Sequence, residues 1–439
     1  MKMKQRDVIV VGAGISGLLT ALALSKEGKS VLVLERESEI GGMCRSYMVE
    51  GYQVDTGPHI ITRLEHGPLK ELMHRYFDVI PNFIPHGRYY VRLNNRVRAF
   101  PWNLKGWFTF DLIPQMDRLY LMKTLFSISY IFNSGEDLSR RSVGELVGNG
   151  LSESTLRFLN CISYFMTGTS MDETPVARFL DSEHYKSRSN GVLDKLYNIL
   201  MKEGALDQVY PKGGLQSLIT AILSSMPKNK IEIKTNEQVL RIHSEKKRIE
   251  TTKDEYEYST LIYSGFASDL PKLTENLSSN YKQSLRKLPR TNALTIWLGL
   301  NEHIFGREGS EIWVDSDPYT WVVPVSNYDP SLAPRGKQLV GFAFRLPNNF
   351  NLEREKKKAL NAIFEIMPHI ENKVEMIHYQ TLIPEKAAWT ITTEFADVRS
   401  PLDGIYLVGT DTEKRSMGIT RASYSVLKLL GALREDGIL

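Results

Sequence analysis

The sequence predicts an α/β fold in which a domain built on a parallel sheet is split into blocks by a second, mixed α+β domain carrying a helical insertion. Three observations lead there. Residues 7 to 35 run through apolar strand, glycine turn, apolar helix and second strand. Two later stretches, VYPKGGLQSLITAI and GIYLVGTDTEKRSMGITRASYSVLKLLGAL, again set glycines between an extended run and a helix. Between these blocks lie alternating aromatic and β-branched runs, the pattern of antiparallel strands. The split domain is Rossmann-like.

Its first block justifies that reading element by element. Asp7 to Val11 is a β-branched run without side-chain periodicity, as in a strand buried on both faces. In the turn that follows, Gly12 permits a tight bend, Gly14 lets the backbone approach a pyrophosphate, and Gly17 lets the next helix pack close. That helix is predicted over Ile15–Lys26, and its opening residues Ile15 and Ser16 present N–H groups that suit phosphate oxygens. Val31–Leu34 form the second strand. Glu35, 23 residues after Gly12, stands where a carboxylate accepts the hydroxyls of an adenosine ribose. Strand, helix and acid together turn the glycine pattern from a common tight turn into a dinucleotide site.

Composition is consistent with this. A chain of 439 residues with 42% hydrophobic content suffices for two or three packed units. The 55 basic and 51 acidic residues leave a net charge of +4, which speaks against a nucleic-acid partner. Two cysteines, Cys44 and Cys161, exclude a disulfide framework and make a reducing cytoplasm the expectation. The basic start MKMKQR precedes a nucleotide motif instead of a cleavable signal, and no run approaches the ~18 apolar residues of a membrane span.

The expected domains are 1–79, 206–265 and 390–439 for the nucleotide-binding unit, and 80–205 with 266–389 for the substrate unit, its helical insertion over about 103–205. The first block closes with GYQVDTGPHIITR, where Tyr52 and Val54 are expected to alternate outward and inward before the turn at Gly57 and Pro58. In the middle block Gly213 and Gly214 precede a helix, and IEIKTNEQVLRIHSE and YSTLIYSGFA supply further strands. In the substrate unit GRYYVRLNNRVRAFPW reads as a hairpin around Asn94 and Asn95, and a helical, apolar pattern runs from Leu104 to Phe132.

Beyond Glu35 the chain continues with Arg36 and then Ile40, Gly41, Gly42, Met43, Cys44 and Arg45. With the fingerprint before it, this stretch resembles the FAD-binding signature of the amine oxidase and phytoene desaturase superfamily, where a second glycine pair and an arginine lie over the FAD phosphates. The order of blocks extends the resemblance over nearly the whole chain. It implies a GR2-type FAD-binding domain, with FAD as the cofactor, and cofactor contacts from Arg36, Gly41, Gly42 and Arg45. It further implies that Val239 meets the adenine with its main chain and that Gly409 and Asp411 lie by the pyrophosphate and ribityl chain. Asp411 falls one residue beyond the acid of relatives, a position held here by Thr410. The helix opening at Met417, Gly418 and Ile419 would face the flavin pyrimidine, where reduction places negative charge. Gly57, Pro58 and His59 lie in a segment that passes beside the flavin in relatives.

Flavin oxidations need little from the protein beyond orientation, exclusion of water and charge stabilisation. His59 is the candidate for proton transfer, an imidazole being suited to it near neutral pH; the competing reading is a histidine that bonds backbone at a turn. Arg63, Arg88, Arg92, Arg96 and Arg98 could bind a substrate carboxylate or phosphate, Arg88 first among them, or serve as solvated strand charges. Trp389 stands where relatives set an aromatic against the flavin, or packs in the core. No spacing suggests a metal site. Many amine oxidases of the superfamily carry a lysine on a substrate-domain strand, and here ALTIWLGL has Thr295 at that place, which argues against a simple amine oxidase.

The leading expectation is thus an FAD-dependent oxidoreductase of the desaturase and protoporphyrinogen oxidase-like branch, taking hydride from an apolar or conjugated small molecule and passing electrons to oxygen or a quinone. GPHIITR also resembles UDP-galactopyranose mutases, which use reduced flavin without net oxidation, and the architecture is similar to Rab escort-like prenyl carriers. The apolar insertion has two readings, a cap over the substrate sheet or a peripheral contact with the inner face of the membrane.

Overall fold

The computed structural model describes residues 4–133, 136–186 and 207–439. The last part of the expected insertion, 187 to 205, and residue 206 of the middle block lie outside the described residues.

Among the described residues the chain forms two seven-stranded sheets and two smaller ones. In the first, five strands run parallel in the order Ile231–Lys234, Val31–Leu34, Lys4–Val11, Glu255–Tyr263, Ile405–Leu407. Glu255–Tyr263 serves two partners on one side. Its first half pairs antiparallel with Arg248–Thr251, which pairs in turn with Val239–His243, and its second half pairs with Ile405–Leu407. Segments remote in sequence therefore share one sheet. Val31–Leu34 is buried at every position, as a strand covered on both faces must be. One cover consists of the helices Ile15–Lys26, Pro68–Tyr76, Gln216–Ser224 and Gly418–Glu435. The other includes Val239, Ile242 and Ile249 with Leu270, Leu277, Leu285 and Leu288. The last four fall in the stretch expected for the substrate unit, and their packing on the nucleotide sheet moves that boundary; a leucine stripe does not reveal which sheet it covers.

The second sheet runs Val374–Leu382, Asn292–Leu300, Gln338–Leu346, Thr320–Val323, Gly309–Trp313, Arg88–Leu93, Arg96–Ala99. Its pairs are antiparallel except that of Gly309–Trp313 with Arg88–Leu93, which is parallel and corrects the expectation of an antiparallel sheet throughout. The two strands are joined by a long excursion through other elements, and such a crossover permits either direction. Asn94 and Asn95 turn the hairpin with φ of 52° and 55°, the left-handed pair of a tight type I′ turn.

The helical pattern from Leu104 to Phe132 resolves into two helices, Leu104–Thr109 and Gln115–Asn133. Pro114 separates them, because the residue before a proline avoids helical torsions, while the Pro114 carbonyl accepts from Arg118 N and opens the second helix. Leu121 and Ile128 of that helix pack with Phe110, Phe158, Val91 and Ile312 beside the second sheet. Tyr52 and Val54 do not alternate. Both are buried, and Gln53 between them turns the other way to donate from Nε2 to the Gly213 carbonyl at 2.7 Å, since positions i and i+2 of a strand share a face.

Candidate active site

The carboxyl ends of Lys4–Val11, Val31–Leu34, Glu255–Tyr263 and Ile405–Leu407 converge on one crevice edge, where open α/β sheets bind ligands. Gly12 takes a φ of 101° and donates from N to the Leu34 carbonyl at 2.8 Å, which folds the turn back on the second strand. A Cβ on Gly17 would stand 2.0 Å from the Gly12 carbonyl oxygen, so helix and turn touch through bare backbone. Gly14 differs. A Cβ built there meets no atom within 4 Å, in front of a helix that has no side-chain cap and no acid in its first turn. Ile15 is half-buried and Ser16 buried behind it. Gly41 N donates to the Ala13 carbonyl at 2.7 Å, Gly41 forms a parallel bridge with Gly14, and a Cβ on Gly42 would lie 3.1 Å from Gly14 Cα. The two glycine pairs thus form adjoining walls of one backbone cradle.

Glu35 is buried, its Oε2 accepting from Ala13 N at 2.7 Å and its Oε1 from Glu37 N at 2.9 Å. It braces the turn, and each carboxylate oxygen keeps capacity for a further hydrogen bond. Arg36 is exposed and pairs with Glu37. Arg45 reaches back over the loop, donating from Nε to the Gly42 carbonyl at 3.1 Å and from Nη1 to Glu39 at 2.8 Å. Glu237 N donates to the Glu35 carbonyl at 2.8 Å, which carries the segment of Val239 past the end of the second strand.

From Gly12 the crevice continues to the last block through Lys386, which sequence reasoning missed. Its Nζ donates at 2.7 Å to the carbonyls of both Ser264 and Gly265, next to Gly12, and would lie 2.6 Å from a Cβ on Gly409. Burial pushes the Lys386 ammonium below its usual range, and Asp411 beside it opposes that shift. Asp411 itself turns inward, its Oδ2 accepting from Ala267 N at 2.7 Å. Thr410 Oγ1 accepts from Lys386 N at 3.0 Å. Met417 caps the closing helix with an exposed side chain, Ile419 is buried, and Gly418 N donates to Glu385 Oε1 at 2.5 Å. The helix N-terminus expected to stand open is therefore partly satisfied by a carboxylate. Glu385 Oε2 also accepts from the fully buried Arg421 at 3.1 Å.

The segment from Gly57 to Thr62 spans from the second sheet to the closing helix. Gly57 N donates to Gln380 Oε1 at 2.8 Å, Pro58 is buried, and Thr62 Oγ1 lies 3.0 Å from Thr420 Oγ1. His59 Nδ1 lies 2.9 Å from the Gly57 carbonyl, the backbone contact of the competing reading. A Cβ on Gly57 would be 3.7 Å from both His59 Cε1 and Thr295 Oγ1, so imidazole and threonine hydroxyl share one corner. The remaining candidates lie apart. Trp389 is buried with the Lys414 ammonium 5.6 Å from its ring centre. Arg88 is exposed at the end of its strand. Arg63 pairs with Asp181 at 2.8 Å, Arg92 with Glu311 at 3.1 Å, and Arg96 and Arg98 with Asp111. Sequence showed the arginines but not these acids, of which Asp181 and Glu311 are more than a hundred residues from their partners.

Residues 10–76 match the NAD(P)-binding Rossmann-like domain family. Over 102 residues the chain is 50% identical to the uncharacterized protein in the nifH2 3′ region of Methanothermococcus thermolithotrophicus, covering 23% of this chain and 98% of that protein. It is 46% identical over 63 residues to all-trans-retinol 13,14-reductase of Homo sapiens, covering 14% of this chain and 10% of the reductase. It is 22% identical to 4,4'-diapolycopen-4-al dehydrogenase of Metabacillus indicus, over 75% of this chain and 72% of that one. An oxidoreductase from Methanosarcina mazei superposes with a TM-score of 0.80 at 20% identity, over 98% of this chain and all of that one. Reduced UDP-galactopyranose mutase superposes with a TM-score of 0.70 at 15% identity, over 99% and 97% of the two chains. A protein proposed as the protoporphyrinogen oxidase of an Exiguobacterium gives 0.72 at 14% identity, over 99% and 100%. Fold and site define a dinucleotide-binding α/β protein of the oxidoreductase class. The chain belongs to the same family as the Methanothermococcus protein. Among the described residues no helix is long and apolar enough to cross a membrane.

Proposed function

We propose that this protein is an FAD-dependent oxidoreductase that takes hydride equivalents from an apolar, conjugated or conjugatable substrate and passes the electrons to oxygen or a quinone. The observation that carries the reading is the clear space at Gly14 before an uncapped helix N-terminus, walled by Gly12 and Gly42. Such a cradle accepts a pyrophosphate through backbone N–H groups, and a Cβ would fill it. Gly12, Gly14, Gly41, Gly42 and Arg45 would hold the phosphates, Glu35 the ribose and Val239 the adenine. Gly409 and the start of the closing helix would stand toward the flavin. When bound, FAD supplies the hydride acceptor. The chain's part is to position the substrate, with the segment of Gly57 and His59 and the corner at Thr295 as the wall where the second sheet meets this site. The similarity to a retinol reductase and to a diapolycopenal dehydrogenase favours a conjugated, apolar substrate.

The arginine-rich hairpin that would suit a nucleotide-sugar pyrophosphate has Arg92, Arg96 and Arg98 engaged by Glu311 and Asp111, which weighs against the mutase reading. The test is an absorption spectrum of the purified protein, followed anaerobically while protoporphyrinogen, a carotene precursor or UDP-galactopyranose is added. Bleaching of a bound flavin by either of the first two supports the proposal. Turnover of the sugar nucleotide only after prereduction replaces it with the mutase, and a protein that takes up no FAD at all overturns it.

A further inference from the structure

Arg345 is the one charged residue of three neighbouring strands, Asn292–Leu300, Gln338–Leu346 and Thr320–Val323. In their antiparallel register Thr295 stands opposite Ala343, Ala293 opposite Arg345, and Trp321 opposite Ala343 on its other side. Residues directly opposite each other share a face of the sheet, and so do residues two apart on one strand. Arg345 and Trp321 therefore flank Ala343 on the face of Thr295, whose hydroxyl shares a corner with His59. The other face is closed, with Phe342, Phe344 and Leu346 buried in a core of their own. Ala293, Trp321, Ala343 and Arg345 are only half-buried, so the face of Thr295 is covered in part.

Two donors on this face lack acceptors. Arg345 Nε and Trp321 Nε1 are buried, and neither has a hydrogen-bond partner among the described residues. Nor does an acid among them pair with the Arg345 guanidinium; its neighbour is the ring of Tyr164, 5.0 Å away on the helix Glu153–Thr167. Tyr164 lies in turn 5.7 Å from the Tyr319 ring. An aromatic face attracts the charge but does not satisfy the in-plane N–H groups. Elsewhere in the same sheet Arg92, Arg96 and Arg98 are each held by a carboxylate. Buried donors without acceptors are uncommon, and for two of them, one cationic, the fitting partner is an anion. One cation with no second on these strands matches a monoanion and not a phosphate dianion. We infer that Arg345, with the Trp321 indole N–H beside it, binds a single carboxylate on an otherwise apolar substrate. The inference rests on the proposed function, because it takes the corner of Thr295 and His59 as the reacting end. Arg345 and Thr295 are diagonal neighbours, which stand about 7 to 8 Å apart across an antiparallel pair, so several bonds separate the carboxylate from the carbon that loses hydride. A neutral hydrocarbon offers the arginine nothing; a conjugated chain or ring system that carries an acid fills both ends of the site.

The experiment is equilibrium dialysis of the purified full chain against two matched pairs, retinoate with retinol and protoporphyrin IX with its dimethyl ester, the flavin content of each sample being read from its absorption. In at least one pair the acid should bind about tenfold or more tighter than its neutral partner, the worth of a charge-assisted hydrogen bond. Arg345→Gln should abolish that preference and leave the neutral partner's affinity as it was, Arg345→Lys should keep part of it, and Trp321→Phe should lose less than Arg345→Gln. Arg345→Gln has no protein acceptor to lose and should melt no lower than the parent. Acids bound no better than their partners in both pairs, or an Arg345→Gln variant that weakens acid and neutral ligand alike, overturns the inference. So does a melt of Arg345→Gln well below the parent, which would make the arginine structural, and so does complete displacement of the acid by excess inorganic phosphate, which would make the site one for free phosphate. Colourless protein that still prefers the acid through Arg345 removes the flavin reading and upholds the carboxylate site, whereas yellow protein without the preference does the reverse.

Discussion

At the scale of single residues, Gly14 and Gly17 belong to one glycine motif and do opposite things. A side chain at Gly14 enters clear space with backbone torsions of −72° and 175° that any residue adopts, whereas one at Gly17 strikes the Gly12 carbonyl. Gly14→Val should therefore still fold, at a cost of no more than about 1 kcal/mol for the poorer N-cap, and lose FAD from its cradle. Gly17→Val should lose about 1 to 3 kcal/mol or more through overpacking. Melts of the two apoproteins beside a flavin titration separate the cases, and yellow Gly14→Val protein at parental stoichiometry would reject the placement of the pyrophosphate. This half of the site was legible because it is local: strand, turn, helix and Glu35 lie within 29 residues, so spacing alone reports their geometry. Lys386 and Glu385 were not legible. Their partners Ser264 and Arg421 lie 122 and 36 residues away, and nothing in a lysine or a glutamate signals which carbonyl or guanidinium it will meet.

At the scale of elements, the closing helix is seated by charges drawn from three segments. The helix Val176–Lys186 brings Arg178 and Asp181 to the loop before it, where Asp181 Oδ2 accepts from Arg63 Nη2 at 2.8 Å, from Ser416 N at 2.8 Å and from Arg178 Nη1 at 3.5 Å. Burial alone would raise the Asp181 carboxyl, but Arg178, Arg63 and the Ser416 N–H together hold it below its usual range. Burial also lowers Arg178 to about 10. A carboxylate depressed in the folded state contributes stability above the unfolded value, about pH 3.9, and loses that contribution as pH falls through the folded value. Asp181→Asn leaves two buried arginines without their anion and should cost about 3 to 5 kcal/mol at pH 7. The gap between parent and variant should narrow as pH drops below about 4. Urea midpoints at both pH values check it, and a gap unchanged in acid would show that Asp181 acts by shape and not by charge. The helical periodicity of the closing stretch was plain in sequence. The identity of the groups that hold its first turn was not, because the expected ligand for that turn was a cofactor and the structure supplies Glu385 first.

At the scale of the whole molecule, two sheets with separate cores must act as one body if a substrate held by the second is to meet a cofactor held by the first. Gln380, on an edge strand of the second sheet, is the polar joint. Its Oε1 accepts from Gly57 N at 2.8 Å and Trp297 Nε1 at 3.1 Å, and its Nε2 donates to Tyr47 Oη at 2.7 Å and to the Asp55 carbonyl at 2.9 Å. That uses both donors and both acceptor positions of the amide. Gln380→Leu keeps the bulk and strands three buried groups, each at about 1 to 3 kcal/mol, and the loss falls where the two cores meet instead of within either. The parent should therefore unfold in one calorimetric transition and the variant in two. FAD should raise only one of the two, because the candidate cofactor residues apart from Gly57, Pro58 and His59 belong to the first sheet and its helices, and a ligand stabilises the unit that binds it. One transition, lowered as a whole and still raised by FAD, would mean that the packing of Tyr52 against Gly299 and of Pro58 against Gly341 couples the sheets without the amide.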